Sequence, residues 1–169
     1  MIPMSLYETG ESNGKISLLD LFNNKFKSCS STLSLDDLIF ACCRGGWPEA
    51  VLSKDDKIKL DIAKEYYRRI WTSDMFTIDN VKRDPNLMRN IMRSYARNIS
   101  TLAKDTTLYK DANTNVVTLD SYLTVLKKLF IIEEVLPWNQ SLRSASAMRQ
   151  GPKREYVDPS IAIAALNAS

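Results

Sequence analysis

Apolar residues recur at helical spacing through most of the chain. Between Asp56 and Asp74, residues Ile58, Ile62, Tyr66 and Ile70 fall four apart, with Ala63 and Tyr67 or Trp71 beside them. That pattern predicts a long helix with one apolar stripe. Asp84-Pro85 offers an N-cap and a first-turn proline for the next helix, in which Leu87, Ile91 and Tyr95 align with Met88 and Met92 one position over. The polar face of that helix carries Arg89, Arg93 and Arg97. Upstream, Ser34-Leu35-Asp36-Asp37 is a capping arrangement in front of Leu38-Ile39-Phe40-Ala41, and Gly45-Gly46 stops that helix after about ten residues. Pro48 opens a second short helix running to Leu52. Residues 1–32 lack sustained periodicity and predict loop and linker around a short amphipathic piece at Ser17–Phe22.

The second half reads as a helix-turn-helix. Thr101–Tyr109 predicts a short helix, Lys110–Val117 a turn, and Thr118 the cap of a third helix. In that helix Leu119, Tyr122, Leu123, Leu126 and Leu129 face inward, and Asp120, Thr124, Lys127 and Lys128 outward. Ile131–Leu136 is strand-like, a polar loop follows from Asn139 to Pro152, and Glu155-Tyr156-Val157 predicts a returning strand, so the pair forms a wing. Asp158-Pro159 caps a last helix, Ser160–Leu166, whose alanine, isoleucine and leucine content requires burial. The expected fold is mainly α: a small helical bundle followed by a winged helix-turn-helix domain with a two-stranded wing.

Composition narrows the chemistry. The 169 residues include 23 basic and 20 acidic side chains and no histidine, for a net charge of +3. Without histidine, Ser-His-Asp and Cys-His nucleophile systems are excluded. Cys29, Cys42 and Cys43 match neither a disulfide framework nor a zinc spacing, which predicts reduced thiols and a cytoplasmic protein. Asp36-Asp37 and Asp158 are accounted for by capping and Glu133-Glu134 by strand alternation, so no catalytic or metal-binding set is expected. Gly10 and Gly14 precede Lys15-Ile16 and do not make a phosphate-cradling loop. The mean hydropathy is −0.24 and the apolar runs are shorter than the roughly 20 residues of a membrane span, so no membrane contact is expected. The first residues, Met1-Ile2-Pro3-Met4-Ser5, do not have the pattern of a signal peptide.

Positive charge gathers around the predicted wing. Lys127, Lys128, Arg143, Arg149, Lys153 and Arg154 stand against Glu133, Glu134 and Glu155. If the third helix enters a major groove, these cations would contact the phosphates of double-stranded DNA. Lys127 and Lys128 equally suit the solvated last turn of a helix, where cations complement the dipole. Helix-turn-helix folds also serve as protein-contact modules. In that second reading the chain is an adaptor or dimerisation module without nucleic-acid binding, docking through Ile131–Leu136 and Ile161–Leu166.

Two stretches, Met4-Ser5-Leu6-Tyr7-Glu8 continuing to Glu11-Ser12-Asn13-Gly14, and Arg44-Gly45-Gly46-Trp47-Pro48-Glu49-Ala50, carry a family likeness. Further pieces are Arg83-Asp84-Pro85, Ser94-Tyr95-Ala96-Arg97-Asn98, Tyr122-Leu123, Pro137-Trp138, Leu142-Arg143-Ser144 and Lys153-Arg154-Glu155-Tyr156-Val157-Asp158-Pro159. In this order they resemble a prokaryotic family of AAA-type ATP-binding proteins, in which a P-loop core precedes a conserved C-terminal region of unknown function. The resemblance implies the middle of such a protein: the tail of the ATPase core at about 1–30, a helical lid at about 31–80 and a winged helix at about 81–169. The P-loop core and a nuclease-like C-terminal domain would lie outside it, so an excised piece or a truncated reading frame is expected. ATP and magnesium would belong to the complete protein, and this chain alone is expected to hold no cofactor and to be no enzyme. The missing core, the C-terminal domain or a second copy of the chain would be its partners. By the same resemblance Gly45, Gly46, Trp47 and Pro48 would lie near nucleotide, since Gly46-Trp47-Pro48 matches the Gly-x-Pro motif whose proline packs on adenine. Gly45-Gly46 can also simply end one helix and Pro48 begin the next, and both can hold together.

Overall fold

The computed structural model describes residues 2–79, 81–138 and 151–168. Helix α1, Leu18–Phe22, follows a Ser17 cap. Helix α2, Leu35–Arg44, starts with a reciprocal capping box: the Ser34 hydroxyl accepts from the Asp37 N–H while the Asp37 carboxylate accepts from the Ser34 N–H. It stops at Gly45, whose φ of +74° suits a residue without a Cβ. Pro48 then opens α3, Pro48–Leu52, and Asp55 caps α4, Asp56–Thr72. A 3₁₀ turn, Asp74–Phe76, leads to α5, Pro85–Arg97, capped by Asp84. Helices α6, Asp105–Asp111, and α7, Val116–Lys128, follow. Strands β1, Ile132–Val135, and β2, Lys153–Tyr156, pair antiparallel with Ile132 opposite Tyr156 and Val135 opposite Lys153. Helix α8, Pro159–Leu166, ends the described chain. The fold is mainly helical with one small two-stranded sheet.

Three details differ from the sequence expectation. The turn before α7 is shorter, because Asn115 rather than Thr118 is the cap: its side-chain oxygen accepts from the Thr118 N–H, so Val116 and Val117 already belong to the helix. Helix α6 begins at Asp105 rather than Thr101, after a turn in which the Thr101 hydroxyl bonds the Asn98 carbonyl. On α4 the buried stripe is Ala63, Tyr67 and Ile70, and Ile58 is half exposed. The three buried residues all belong to the expected stripe, and Ile62, Tyr66 and Trp71 are partly buried as α4 packs on α2, α3, α5 and α8.

One apolar core runs from Trp47 to Ala165. Helix α8 lies at its centre, packed on α2, α4 and α5, with Ile161 completely buried and Ala162, Ala164 and Ala165 nearly so. Its small side chains let three helices approach closely, and apart from exposed Leu166 and half-buried Ile163 its apolar surface is covered within the chain itself. The sheet joins the same core through Ile132 and Tyr156; the Tyr156 hydroxyl donates to the Met92 carbonyl at 2.7 Å and its ring meets Tyr95 edge-on. No described helix is long and apolar enough to cross a membrane.

Candidate functional site

The Gly-Gly-Trp-Pro segment is a buried loop clamped to the start of α8. Asp158, 2% exposed, caps α8 through one carboxylate oxygen, which accepts from the Ser160 N–H at 2.9 Å. Its other oxygen accepts from the Gly46 N–H at 2.8 Å. Trp47 donates its indole N–H to the Ser160 hydroxyl at 3.0 Å, and its ring lies 3.9 Å from that of Tyr66. The Gly46 carbonyl accepts from the Met4 N–H at 2.7 Å, which fastens an N-terminal strap over the loop. A Cβ on Gly46 would overlap the Met4 backbone, and one on Gly45 would meet the Asp158 and Ser160 side chains, so both glycines are fixed by close approach. Arg44, nearly buried, grips the strap with two bonds to Glu11 at 2.8 and 3.0 Å. That guanidinium holds the Glu11 carboxyl below the usual carboxylate range.

Asp158 was legible as a cap, but its grip on Gly46 was not. The available signals were Trp47, whose indole N–H needs a partner once buried, and Ser160, the one polar side chain of α8. Gly45 and Gly46 line a groove of about 310 Å³ with Met4, Leu38 and Pro159, whereas Trp47 and Pro48 are not part of its lining.

The predicted phosphate-contacting residues do not share one environment. Lys128 and Lys153 are exposed and make no ion pair among the described residues. Lys127 is exposed but bound to Glu134 at 2.8 Å. Arg143 and Arg149 lie outside the described residues. Arg154 is 4% exposed and turned away from any ligand: its guanidinium bonds the Ala103 carbonyl and the Asp105 carboxylate at the start of α6. Period-two alternation explains this, since Arg154 shares a face with buried Tyr156. The backbone continues the same tie, with the Ser100 N–H donating to the Arg154 carbonyl at 2.9 Å. Arg154→Ala is therefore expected to cost about 2 kcal/mol of stability, from lost charge-assisted bonds and an orphaned carbonyl. Urea denaturation checks this; an unchanged midpoint would contradict the structural role.

A family model described as a domain of unknown function, DUF8612, matches residues 35–169. The chain belongs to the DUF8612 family. No curated protein and no solved structure matches it. The DUF8612 stretch begins at the first residue of α2 and so contains both halves of the clamp, Gly45–Trp47 and Asp158–Ser160, while the Met4–Glu11 strap precedes it. Among the described residues of this DUF8612 member, no group of three or more carboxylate or cysteine side chains is arranged to hold a metal ion.

Proposed function

We propose that the chain is a non-catalytic lid plus winged-helix module that works as a protein-contact adaptor, with a second copy of itself as the partner. In the AAA-type ATP-binding proteins it resembles, such a module would pass the nucleotide state of a P-loop core on to that contact. One observation carries the reading. Phe130 sits between α7 and β1 with φ at +55° and 71% of its surface exposed. A left-handed backbone at an aromatic residue is costly, and burial does not offset the cost in the monomer. Beside it lies a groove of about 360 Å³ lined by Ile2, Phe130, Ile132, Glu133 and Val157. Farther along the hairpin, Leu136 and Trp138 are 73% and 85% exposed. Exposed apolar residues at both ends of β1 suit protein docking.

The DNA reading through the wing has weaker support from the same region. Glu133, Glu134 and Glu155 lie on the strands, Arg154 is consumed internally, and Lys127 is already paired. Sedimentation equilibrium at low and high salt tests the proposal. Apolar association persists at high salt and disappears in a Phe130→Ser/Trp138→Ser variant that keeps its helical circular dichroism. A wild-type chain that stays monomeric to its solubility limit overturns the reading.

A further inference from the structure

Helix α5 carries charge that neither the clamp nor the hairpin uses. Its outward face presents Asn86, Arg89, Asn90, Arg93 and Arg97, all exposed, and the helix contains no carboxylate. The three arginines are four residues apart, so they line one side of the helix with a step of about 6 Å. Such a step is comparable with the spacing of successive phosphates along one strand of a duplex.

The arginines are partly organised in advance. The Arg89 guanidinium lies over the Trp71 ring, 5.7 Å from its centroid, and beside the Tyr67 hydroxyl, which restrains the side chain. Arg93 and Arg97 line a groove of about 380 Å³ with Asn90, Ser94 and Asp111. Asp111 accepts from the buried Ser94 hydroxyl at 3.1 Å and lies 3.6 Å from Arg97, whose side chain is 63% exposed. An exposed pair at that distance is weak and exchangeable. Arg89 and Arg93 have no carboxylate within ion-pair distance among the described residues.

From this arrangement we infer that the Arg89–Arg93–Arg97 face of α5 binds the phosphodiester backbone of a nucleic-acid duplex. The chemistry of the face separates this partner from an acidic protein. Protein interfaces need apolar anchors near their centre, and no large apolar side chain on α5 is exposed. Phosphate contacts need forked cations and neutral donors such as the Asn90 amide, which the groove supplies. The site is independent of the hairpin, and it places nucleic acid on the first helix of the helix-turn-helix rather than the third. The chain would then bridge a nucleic acid on α5 and a protein on the hairpin.

The test is anisotropy of a fluorescent random-sequence DNA duplex against the full chain over about 50 to 200 mM salt. Three phosphate contacts predict a log–log salt slope of about −2.7, or an affinity loss of about fortyfold across that range. Arg89→Gln/Arg93→Gln/Arg97→Gln should abolish binding, and each single replacement should flatten the slope by about 0.9. Lys127→Gln/Lys128→Gln/Lys153→Gln and Phe130→Ser/Trp138→Ser should leave the salt slope unchanged, so failure here and failure of the hairpin reading are separable. Thermal melts verify that the surface variants remain folded. The inference is overturned by absence of binding at the lowest salt, by loss that follows the wing lysines instead, or by polyglutamate displacing the duplex at equal charge.

Discussion

Trp47→Ala is expected to destabilise the chain by about 4 kcal/mol, the range found when a large buried aromatic is truncated. Trp47 is 5% exposed and fills the junction between α3, α4 and α8, against the ring of Tyr66 and the hydroxyl of Ser160. Removing the indole leaves a cavity among three helices that cannot all move inward, because α8 is also packed on α2 and α5. Trp47→Phe separates the contributions. It keeps a six-membered ring but loses the rest of the bicycle together with the donor to Ser160, so its cost should be nearer 1–2 kcal/mol. Urea denaturation of both variants checks this, and equal losses would mean that packing contributes little there.

Asp158→Ala should cost about 3 kcal/mol, for a different reason. The carboxylate satisfies three donors: the Ser160 N–H, the Ser160 hydroxyl and the Gly46 N–H. Loss of an N-cap alone costs about 1 kcal/mol. A buried amide left without an acceptor adds roughly 1–3 kcal/mol, and Gly46 is such an amide. Asp158→Asn retains an acceptor and should cost less than the alanine. Because Ser160 also accepts from Trp47, the two sites share a partner, and the double variant should depart from additivity by at least about 0.5 kcal/mol. Additive losses would show that the cap and the indole act separately.

The parts of the fold that were legible in sequence are those decided locally. Ser34, Asp84 and Asp158 each accept from a backbone N–H two or three residues on, and Pro48, Pro85 and Pro159 each open the following helix, whereas the Asp55 cap of α4 was not read. A cap and its helix lie within one turn, so spacing reveals them. The burial of α8 was legible too, since its composition offers no polar face. Which elements bury it was not, because α2, α4 and α5 meet it only in the folded chain. The site was less legible for the same reason. Arg154 resembled a surface cation in a basic segment, and only its strand parity with Tyr156 marked it as inward. Phe130 was not singled out in sequence, because its positive φ arises where α7 ends, with the Ile131 N–H donating to the Leu126 carbonyl. The α5 arginines were visible as a polar face, yet that Arg89 and Arg93 meet no carboxylate among the described residues while Arg97 meets Asp111 depends on where α4 and α6 come to rest.

The bond from Gly46 to Asp158 joins residues 112 positions apart, and α8, which it anchors, packs on α2, α4 and α5. During synthesis the N-terminal helices therefore emerge long before the segment that covers them. They can form turns and caps at once, but their apolar faces stay uncovered until the stretch from Asp158 to Leu166 arrives. The final closure brings together distant parts of the chain, so it should set the pace of folding despite the largely helical content. A chain stalled between α7 and that stretch carries a nearly complete set of helices around an open centre, a species more prone to stick to its neighbours than the finished protein.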